Sequence, residues 1–223
     1  MKFVHPLLSE PIEFKENLPH VLVIEERHTF SAIIQELLVQ WQTDDGKFVF
    51  SENDTEYSMK KVVEVIANPF AIDINSKKIL SGIIKMLEKI SEWEEYFFKT
   101  KEILSQIDAY LEILVEESPH PIQIESMDVL TLIKGASVHI ETEAQSLLEK
   151  VVDYMKAVRD FLHINHFIFV NLSVYLNEYE WNEFLKMINY EKYQVLFLEI
   201  ICPQNSDNLQ FTIIDADLCE INY

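Results

Sequence analysis

The longest uninterrupted helical pattern in the chain, residues 76–117, reads SKKILSGIIKMLEKISEWEEYFFKTKEILSQIDAYLEILVEE. Eleven of its residues recur at alternating spacings of four and three, and only Thr100 among them is polar: Ile79, Ile83, Met86, Ile90, Trp93, Phe97, Thr100, Leu104, Ile107, Leu111 and Leu114. This is the heptad seam of a helix that packs lengthwise on another helix. At 1.5 Å per residue, it predicts one helix of about 60 Å that projects from the rest of the fold.

A helix with such a seam needs a partner, and the same chain offers two. The segment from about Glu141 to His163 repeats the four-three spacing, and the segment Met127 to Ile133 is suited to a short third helix. The repeating residues of the second helix are Leu147, Val151, Tyr154, Val158 and Phe161. Two arrangements stay open: a helical hairpin within one chain, or a seam that packs partly on another subunit.

On both sides of this stretch, predicted strands alternate with predicted helices, which is typical of an α/β fold with a mainly parallel sheet. Helices are expected at Thr29–Trp41, at Met59–Ile66 and from an N-cap at Asn177 to Ile188. Apolar runs predict strands at His20–Glu25, Lys47–Phe50, His166–Val170, Gln194–Ile201 and Phe211–Ile214, with a further strand pair within Phe3–Phe14. We therefore assign residues 1–75 and 165–223 to one α/β domain, and residues 76–164 to a helical domain inserted into it.

The charge of the chain is strongly negative but unevenly distributed. The formal net charge is −20, which by itself argues against nucleic acid, because phosphate binding depends on Lys and Arg. Residues 76–164, however, hold 10 of the 18 basic residues. Two groups are candidates for a DNA-facing strip, although a solvated face with ion pairs would have the same composition. They are Lys77, Lys78, Lys85 and Lys89 at the start of the helical domain, and Lys134, Lys150, Lys156 and Arg159 on its return.

Several common kinds of functional site have no sequence pattern here. The chain has no phosphate-binding G-x-x-x-x-G-K-[ST] motif, no G-x-G-x-x-G motif, no nucleophile elbow and no zinc-type Cys/His spacing. Glu25 and Glu26 follow a predicted buried strand, where an α/β enzyme often carries acids, but a solvated loop explains them as well. Without a signal peptide or a membrane-span pattern, the sequence predicts a cytoplasmic protein without catalytic activity.

Several segments, in order along nearly the whole chain, together resemble one family. They are His5–Glu13, Phe70–Ser76 with Ile79-Leu80, Leu132–Lys134 with Ile140–Thr142, Phe169–Asn171 with Tyr175-Leu176, and Val195–Glu199. On these segments the chain is identified as similar to the type II-A CRISPR-associated proteins of the Csn family, the small ring-forming members that act in spacer acquisition.

The resemblance implies a homotetrameric ring whose heads are P-loop-ATPase-like but lack the nucleotide motif, with long helical legs. Such a ring would thread linear double-stranded DNA through a Lys-lined hole without cutting it, and would act with the CRISPR integrase complex and the effector nuclease, away from membranes. It also implies a structural calcium, for which Glu125, Asp128 and Glu141 are the ligand candidates; Thr131 stands where the family pattern has an acid. A scaffold for the integrase complex and a degenerate nucleotide hydrolase are the alternative functions.

Overall fold

The computed structural model describes residues 1–53, 55–203 and 208–222. The chain divides into two compact units. The larger unit comprises Met1–Ile72 with Ala144–Tyr223, and the smaller unit comprises Asp73–Glu143. Among the described residues, none of the helices combines the length and the apolar character that a membrane span requires.

The larger unit contains all the strands that the structure describes. In chain order these are β1 (Lys2–Val4), β2 (Ile12–Glu13), β3 (His20–Ile24), β4 (Val49–Glu52), β5 (Thr55–Tyr57), β6 (Val63–Ile66), β7 (His166–Val170), β8 (Gln194–Glu199), β9 (Gln210–Ile214) and β10 (Glu220–Asn222). Its helices are α1 (Arg27–Thr43), α2 (Met59–Val62), α6 (Leu147–Leu162) and α7 (Glu178–Glu191), with a 3-10 turn at Leu172–Tyr175. The smaller unit contains α3 (Lys77–Ser91), α4 (Glu94–Glu116) and α5 (Val129–Gly135).

Six strands form the main sheet, in the order β10-β9-β3-β8-β7-β6. Five of its strands run parallel to one another in four neighbouring pairs, and only the edge strand β10 pairs antiparallel, with β9. The predicted α/β class with parallel strands is therefore confirmed. Because the strands are parallel, the segments that follow β3, β6, β7, β8 and β9 all emerge at one edge of the sheet, which we call the carboxyl edge.

The two faces of the main sheet are covered by different layers. On one face, α1 and a second, antiparallel sheet in the order β2-β1-β4-β5 join the inward side chains of β3, β6, β7 and β8 in one buried cluster. The opposite face is rich in aromatic contacts with α7. Trp181 lies 4.7 Å from Phe197, and Phe184 lies 5.4 Å from Phe169, measured between ring centroids. Burial on both faces explains the continuous apolar runs of the strands.

The predicted helix at Met59–Ile66 is wrong in its second half. The helix α2 ends at Val62, and Val63–Ile66 forms β6, the outermost parallel strand of the main sheet. All four residues of this strand are buried. The β-branched residues Val63, Val65 and Ile66 suit a strand better than a helix, because their side chains are restricted in a helix and pack well on a pleated surface.

Helix α6 provides the crossover between the neighbouring parallel strands β6 and β7. Parallel neighbours need such a connection, and it is usually helical. The helix is fixed to the sheet by the Tyr154 hydroxyl, which donates to Oε1 of Glu64 in β6 at 2.7 Å. Its apolar face is buried through Val151, Met155, Ala157 and Val158. These contacts group α6 with the larger unit, whereas the sequence assigned it to the helical domain 76–164.

The seam of residues 76–117 is carried by two helices, so the prediction of one continuous helix is wrong. Helix α3 ends at Ser91 and α4 begins at Glu94. Between them Trp93 has an extended backbone, with ψ of 147°. None of the residues of α4, which the structure describes throughout, is buried.

Local polar contacts explain why the helix breaks at this point. The carbonyl of Ser91 accepts from the hydroxyl of Thr100 at 3.4 Å, so the only polar residue of the seam contacts the end of α3. The first turn of α4 carries Glu94 and Glu95, and negative charge is favourable at a helix N-terminus. A helix end and a helix start are therefore both stabilised within the segment Ser91–Glu95.

Candidate nucleic-acid interface

Four of the predicted DNA-binding lysines lie on α3. They are Lys77, Lys78, Lys85 and Lys89, and all four are exposed. At 100° per residue, Lys78, Lys85 and Lys89 fall within about 40° of one another around the helix axis. The buried residues of the same helix are Ile79 and Ile83, so the lysines occupy its solvent side.

Three of the four lysines have no acidic partner in the described part of the chain. Lys77, Lys85 and Lys89 have no carboxylate within salt-bridge distance among the residues that the structure describes. An ammonium group without a fixed acid partner can contact a phosphate without first breaking an ion pair. The side of α3 that carries Lys78, Lys85 and Lys89, which we call the α3 strip, is thus a compact positive surface in an acidic chain.

Lys134 belongs to the same unit as the α3 strip. It lies exposed in the last turn of α5, and α5 packs against α3. The start of α5 is fixed by Asp128, whose Oδ1 accepts from the backbone N–H of Thr131 at 2.6 Å. Helix α5 is therefore a positioned element with its basic residue at the favourable C-terminal end of the helix.

A reciprocal pair of hydrogen bonds ties the two ends of the smaller unit together. The amide Nδ2 of Asn75 donates to the carbonyl of Ile140 at 3.0 Å, and Oδ1 of Asn75 accepts from the N–H of Ile140 at 2.7 Å. Asn75 immediately precedes α3 in the chain. This pairing fixes the direction in which α3 begins, and the α3 strip with it.

The other three predicted DNA-binding residues lie on α6, in the larger unit. Lys150 is exposed and Lys156 is partly buried. Arg159 is already occupied by the protein: its guanidinium donates to Glu191 at 2.6 Å and to Asp160 at 3.1 Å, and it stacks on the ring of Tyr193. The contact with Glu191 raises the pKa of Arg159. Arg159 is the weakest of the eight candidates, because a phosphate would have to displace these partners.

The three candidate calcium ligands do not come together within one chain. Glu125, Asp128 and Glu141 are exposed, and the described residues contain no group of three or more His, Cys, Asp or Glu side chains arranged to hold a metal ion. Asp128 serves as the N-cap of α5, and its hydrogen bonds from Thr131 lower its pKa. Calcium takes six to eight oxygen ligands, so these three side chains of one chain do not by themselves form a calcium site.

The start of α1, after β3, is where a nucleotide-binding α/β protein would hold phosphates. Here the carboxylate of Glu26 accepts from the N–H of His28 at 2.9 Å, from the N–H of Thr29 at 2.6 Å and from the Thr29 hydroxyl at 2.8 Å. These bonds lower the pKa of Glu26. The helix N-terminus is therefore filled by a negative group of the protein itself, which would repel a phosphate.

One buried acid at the carboxyl edge was missed by the sequence interpretation. Glu199 ends β8 and is fully buried, and burial raises its pKa to about 7. Its carboxylate accepts from the backbone N–H of Ser173 at 3.1 Å and from the Ser173 hydroxyl at 2.6 Å. The available signal was an acid closing an otherwise apolar strand, Val195–Glu199, because such an acid has to be buried with its neighbours.

Comparison with known proteins gives consistent matches. A family model described as "CRISPR-associated protein (Cas_Csn2)" matches residues 40–218. A CRISPR-associated protein Csn2 of Streptococcus agalactiae is 26% identical over 219 residues, covering 97% of this chain and 96% of that protein. A CRISPR-associated protein Csn2 of Enterococcus faecalis is 27% identical over 211 residues, covering 92% of each.

Proposed function

This chain belongs to the Cas_Csn2 family of CRISPR-associated proteins, and on that premise we propose that it is a non-catalytic protein that binds the ends of linear double-stranded DNA during spacer acquisition. In this proposal four copies form a ring, and duplex DNA threads through a hole lined by lysines. The small unit supplies the helical leg of each copy and the larger unit its P-loop-ATPase-like head.

The observation that carries the proposal is the α3 strip. Its exposed lysines stand out in a chain whose net charge is −20. Phosphate contacts of this kind do not read base sequence, so the expected binding is independent of DNA sequence and steeply dependent on salt. The acidic remainder of the protein would repel DNA, which would confine the duplex to the surface that carries the lysines.

The assembly is supported by an unpaired apolar stripe on α4. Tyr96, Ile103, Tyr110 and Ile113 recur at helical spacing, and each is between 38% and 59% exposed. Isolated exposed apolar residues are ordinary, but a repeating stripe along a helix indicates a surface that another protein covers. We assign this stripe, which runs beside the heptad seam and shares no residue with it, to a second copy of the chain.

The start of α1 supports the part of the proposal that excludes nucleotide binding. Glu26 satisfies the backbone N–H groups that would otherwise hold a phosphate. The nucleotide-hydrolase alternative predicts a saturable heat of ATP binding with magnesium, followed by turnover. We expect neither in a calorimetric titration.

The remaining partners and calcium are proposed on the resemblance alone. The CRISPR integrase complex and the effector nuclease are the expected protein partners, and a scaffold that binds the former without DNA is the alternative function. A structural calcium held by Glu125, Asp128 and Glu141 has no support from their geometry in one chain. Asp128→Asn tests it, because Asn keeps the N-cap and removes the charge. Unchanged stabilisation by calcium in this variant would exclude Asp128 as a ligand.

The DNA-binding proposal is tested by neutralising the α3 strip. The triple variant Lys78→Gln, Lys85→Gln and Lys89→Gln is expected to weaken binding to a blunt-ended linear duplex. Each lost phosphate contact lowers the slope of log affinity against log salt by about 0.9, so the slope should fall by about 3. Fluorescence anisotropy of a labelled duplex over a salt series measures both quantities.

The matched control is the triple variant Lys60→Gln, Lys61→Gln and Lys186→Gln. It removes the same amount of charge from exposed lysines of the larger unit, and it should leave the slope unchanged. If the two triple variants lose affinity and slope equally, the lysines of α3 contribute only net charge and the proposed strip is wrong. If the unaltered protein does not retain DNA at about 50 mM salt, that result favours the scaffold function instead.

A further inference from the structure

The carboxyl edge of the main sheet carries a second candidate surface, which the proposed DNA binding does not use. Between the segment that follows β7 and the segment that follows β8 lies a cavity of about 340 Å³. Its wall includes Val174, Leu176, Trp181, Ile201 and Cys202. This volume lies within the range of cavities that bind a small molecule or one anchoring side chain of a partner.

A buried hydrogen-bond donor in the wall of this cavity has no acceptor among the residues that the structure describes. It is the indole Nε1 of Trp181, a side chain that is 2% exposed. By contrast, the indole of Trp41, which is partly buried, donates to the carbonyl of Val63 at 3.1 Å. Buried Trp N–H groups ordinarily find an acceptor, so the donor of Trp181 indicates an acceptor from outside the described residues.

The rim of the cavity is apolar and highly exposed. Val174 is 63% exposed and Ile201 is 69% exposed. Nearby in the chain, Tyr175 contacts Phe70 from the segment after β6, and both rings are also exposed to solvent. Exposed apolar side chains therefore cluster on consecutive segments of one edge, which is the arrangement of a protein-interaction surface.

The charge at this edge selects the kind of partner. Carboxylates follow several of the strands that end here, and one of them, Glu178, lines the cavity itself. The others at this edge are Glu25, Glu26, Glu180, Asp215 and Asp217. The larger unit as a whole carries 11 basic and 24 acidic residues. Such a field attracts a basic polypeptide and repels nucleic acid.

We propose that this cavity is a docking site for a basic polypeptide segment of a partner protein, which inserts one apolar side chain and offers a backbone carbonyl to the indole N–H of Trp181. The surrounding carboxylates bind the flanking Lys or Arg side chains of that segment. The site lies wholly in the larger unit, and its occupation is independent of DNA binding by α3.

The indole N–H of Trp181 is itself the reporter for the experiment. The chain has three Trp residues, so the indole region of a nitrogen–proton correlation spectrum holds few signals, and Trp181→Phe assigns the relevant one. The probes are three short peptides: one of alternating Lys and Leu, one of alternating Lys and Ser, and one of alternating Glu and Leu. We expect only the Lys/Leu peptide to bind saturably and to move the Trp181 signal downfield, with Trp41 as the internal reference.

The variant Ile201→Lys is expected to weaken binding of the Lys/Leu peptide about tenfold, since it places a charge in the apolar rim. Tyr190→Lys is the matched control, because Tyr190 is 85% exposed at the far end of α7 and contributes nothing to the cavity wall. Both variants should bind linear DNA as the unaltered protein does, whether or not that binding is strong.

Four outcomes would overturn the proposal. The first is a Trp181 signal that no peptide moves, and the second is equal binding of the Lys/Ser and Lys/Leu peptides, which would mean non-specific charge attraction. The third is a change in the mass of the assembly caused by Ile201→Lys, which would make the surface a contact between copies. The fourth is a shift of the Trp181 signal by linear DNA alone.

Discussion

Glu199 and His20 are buried ionisable side chains whose effects on stability oppose each other. Burial raises the pKa of Glu199 from 4.5 to about 7, and burial lowers the pKa of His20 from 6.5 to about 4. The folded protein therefore holds an extra proton at Glu199 between pH 4.5 and 7, and its stability falls as the pH rises through that range. At His20 the unfolded chain holds the extra proton between pH 4 and 6.5, so stability rises with pH.

The variant Glu199→Gln should reveal the contribution of His20 to the pH dependence of stability. Gln fills the same space and can accept one bond from Ser173, but it does not titrate. Relative to the unaltered protein, the variant should gain up to about 3 kcal/mol of unfolding free energy between pH 4.5 and 7. Urea unfolding at a series of pH values measures this. Parallel stability curves for the two proteins would show that the carboxyl group of Glu199 does not titrate in that range.

At the same scale, the sequence predicted the placement of some basic residues and not the contacts of others. The lysines of α3 could be grouped from their spacing, because positions seven and four apart share a helix face. The engagement of Arg159 could not, since Glu191 and Tyr193 lie more than thirty residues further along the chain and meet it only after folding. Long-range partners decide which basic residues remain available, and residue spacing carries no information about them.

At the scale of the elements, the heptad pattern fails to predict the break between α3 and α4, which we call the corner. The apolar spacing passes through Trp93 without interruption, so periodicity alone indicated one helix. The competing signals were local and weaker: a Ser at residue 91, acids at residues 94 and 95, and a Thr at residue 100 in the seam. These local signals outweigh the heptad pattern because a helix end needs only a few hydrogen bonds to satisfy its free backbone groups. Residues of the same segment supply those bonds.

A substitution at the N-cap of α4 tests the position of the corner, because an N-cap and a position inside a helix favour different residues. Trp93 is the N-cap of α4 and makes no side-chain capping bond. Trp93→Asp should stabilise α4 by about 1 kcal/mol relative to Trp93→Ala, because Asp can accept from the first free N–H groups. Hydrogen exchange of the first amides of α4 reports the difference. In a continuous helix, Asp would instead be less favourable than Ala, and exchange would be faster in the Asp variant.

At the scale of the whole molecule, alternating strand and helix patterns were enough to predict the α/β class and its parallel strands. They were not enough to place α6. Its heptad-like spacing resembles that of α4, and the pattern at Met59–Ile66 predicts a helix in place of β6, so the sequence gives no sign of a crossover between β6 and β7. Correct recognition of that one strand would have moved α6 into the larger unit.

The proposed ring unites features of the molecule that otherwise stand unrelated. A strongly acidic protein exposes a compact lysine strip on α3, an apolar stripe on α4 and a helix N-terminus closed against phosphates by Glu26. A DNA-binding ring accounts for all three, because assembly covers the stripe, the strip contacts the duplex, and no nucleotide is needed. Its defining property is topological, since a closed ring that threads onto DNA requires a free end.

The most direct measurement compares the binding of linear duplex DNA with that of covalently closed circles of the same sequence and length. Both are presented to the preassembled protein at the same salt concentration, and the circles are then cut once in the presence of the protein. The account predicts retention of the linear form, little retention of the closed circles, and recovery of binding after the single cut. Equal affinity for linear and closed circular DNA would contradict it.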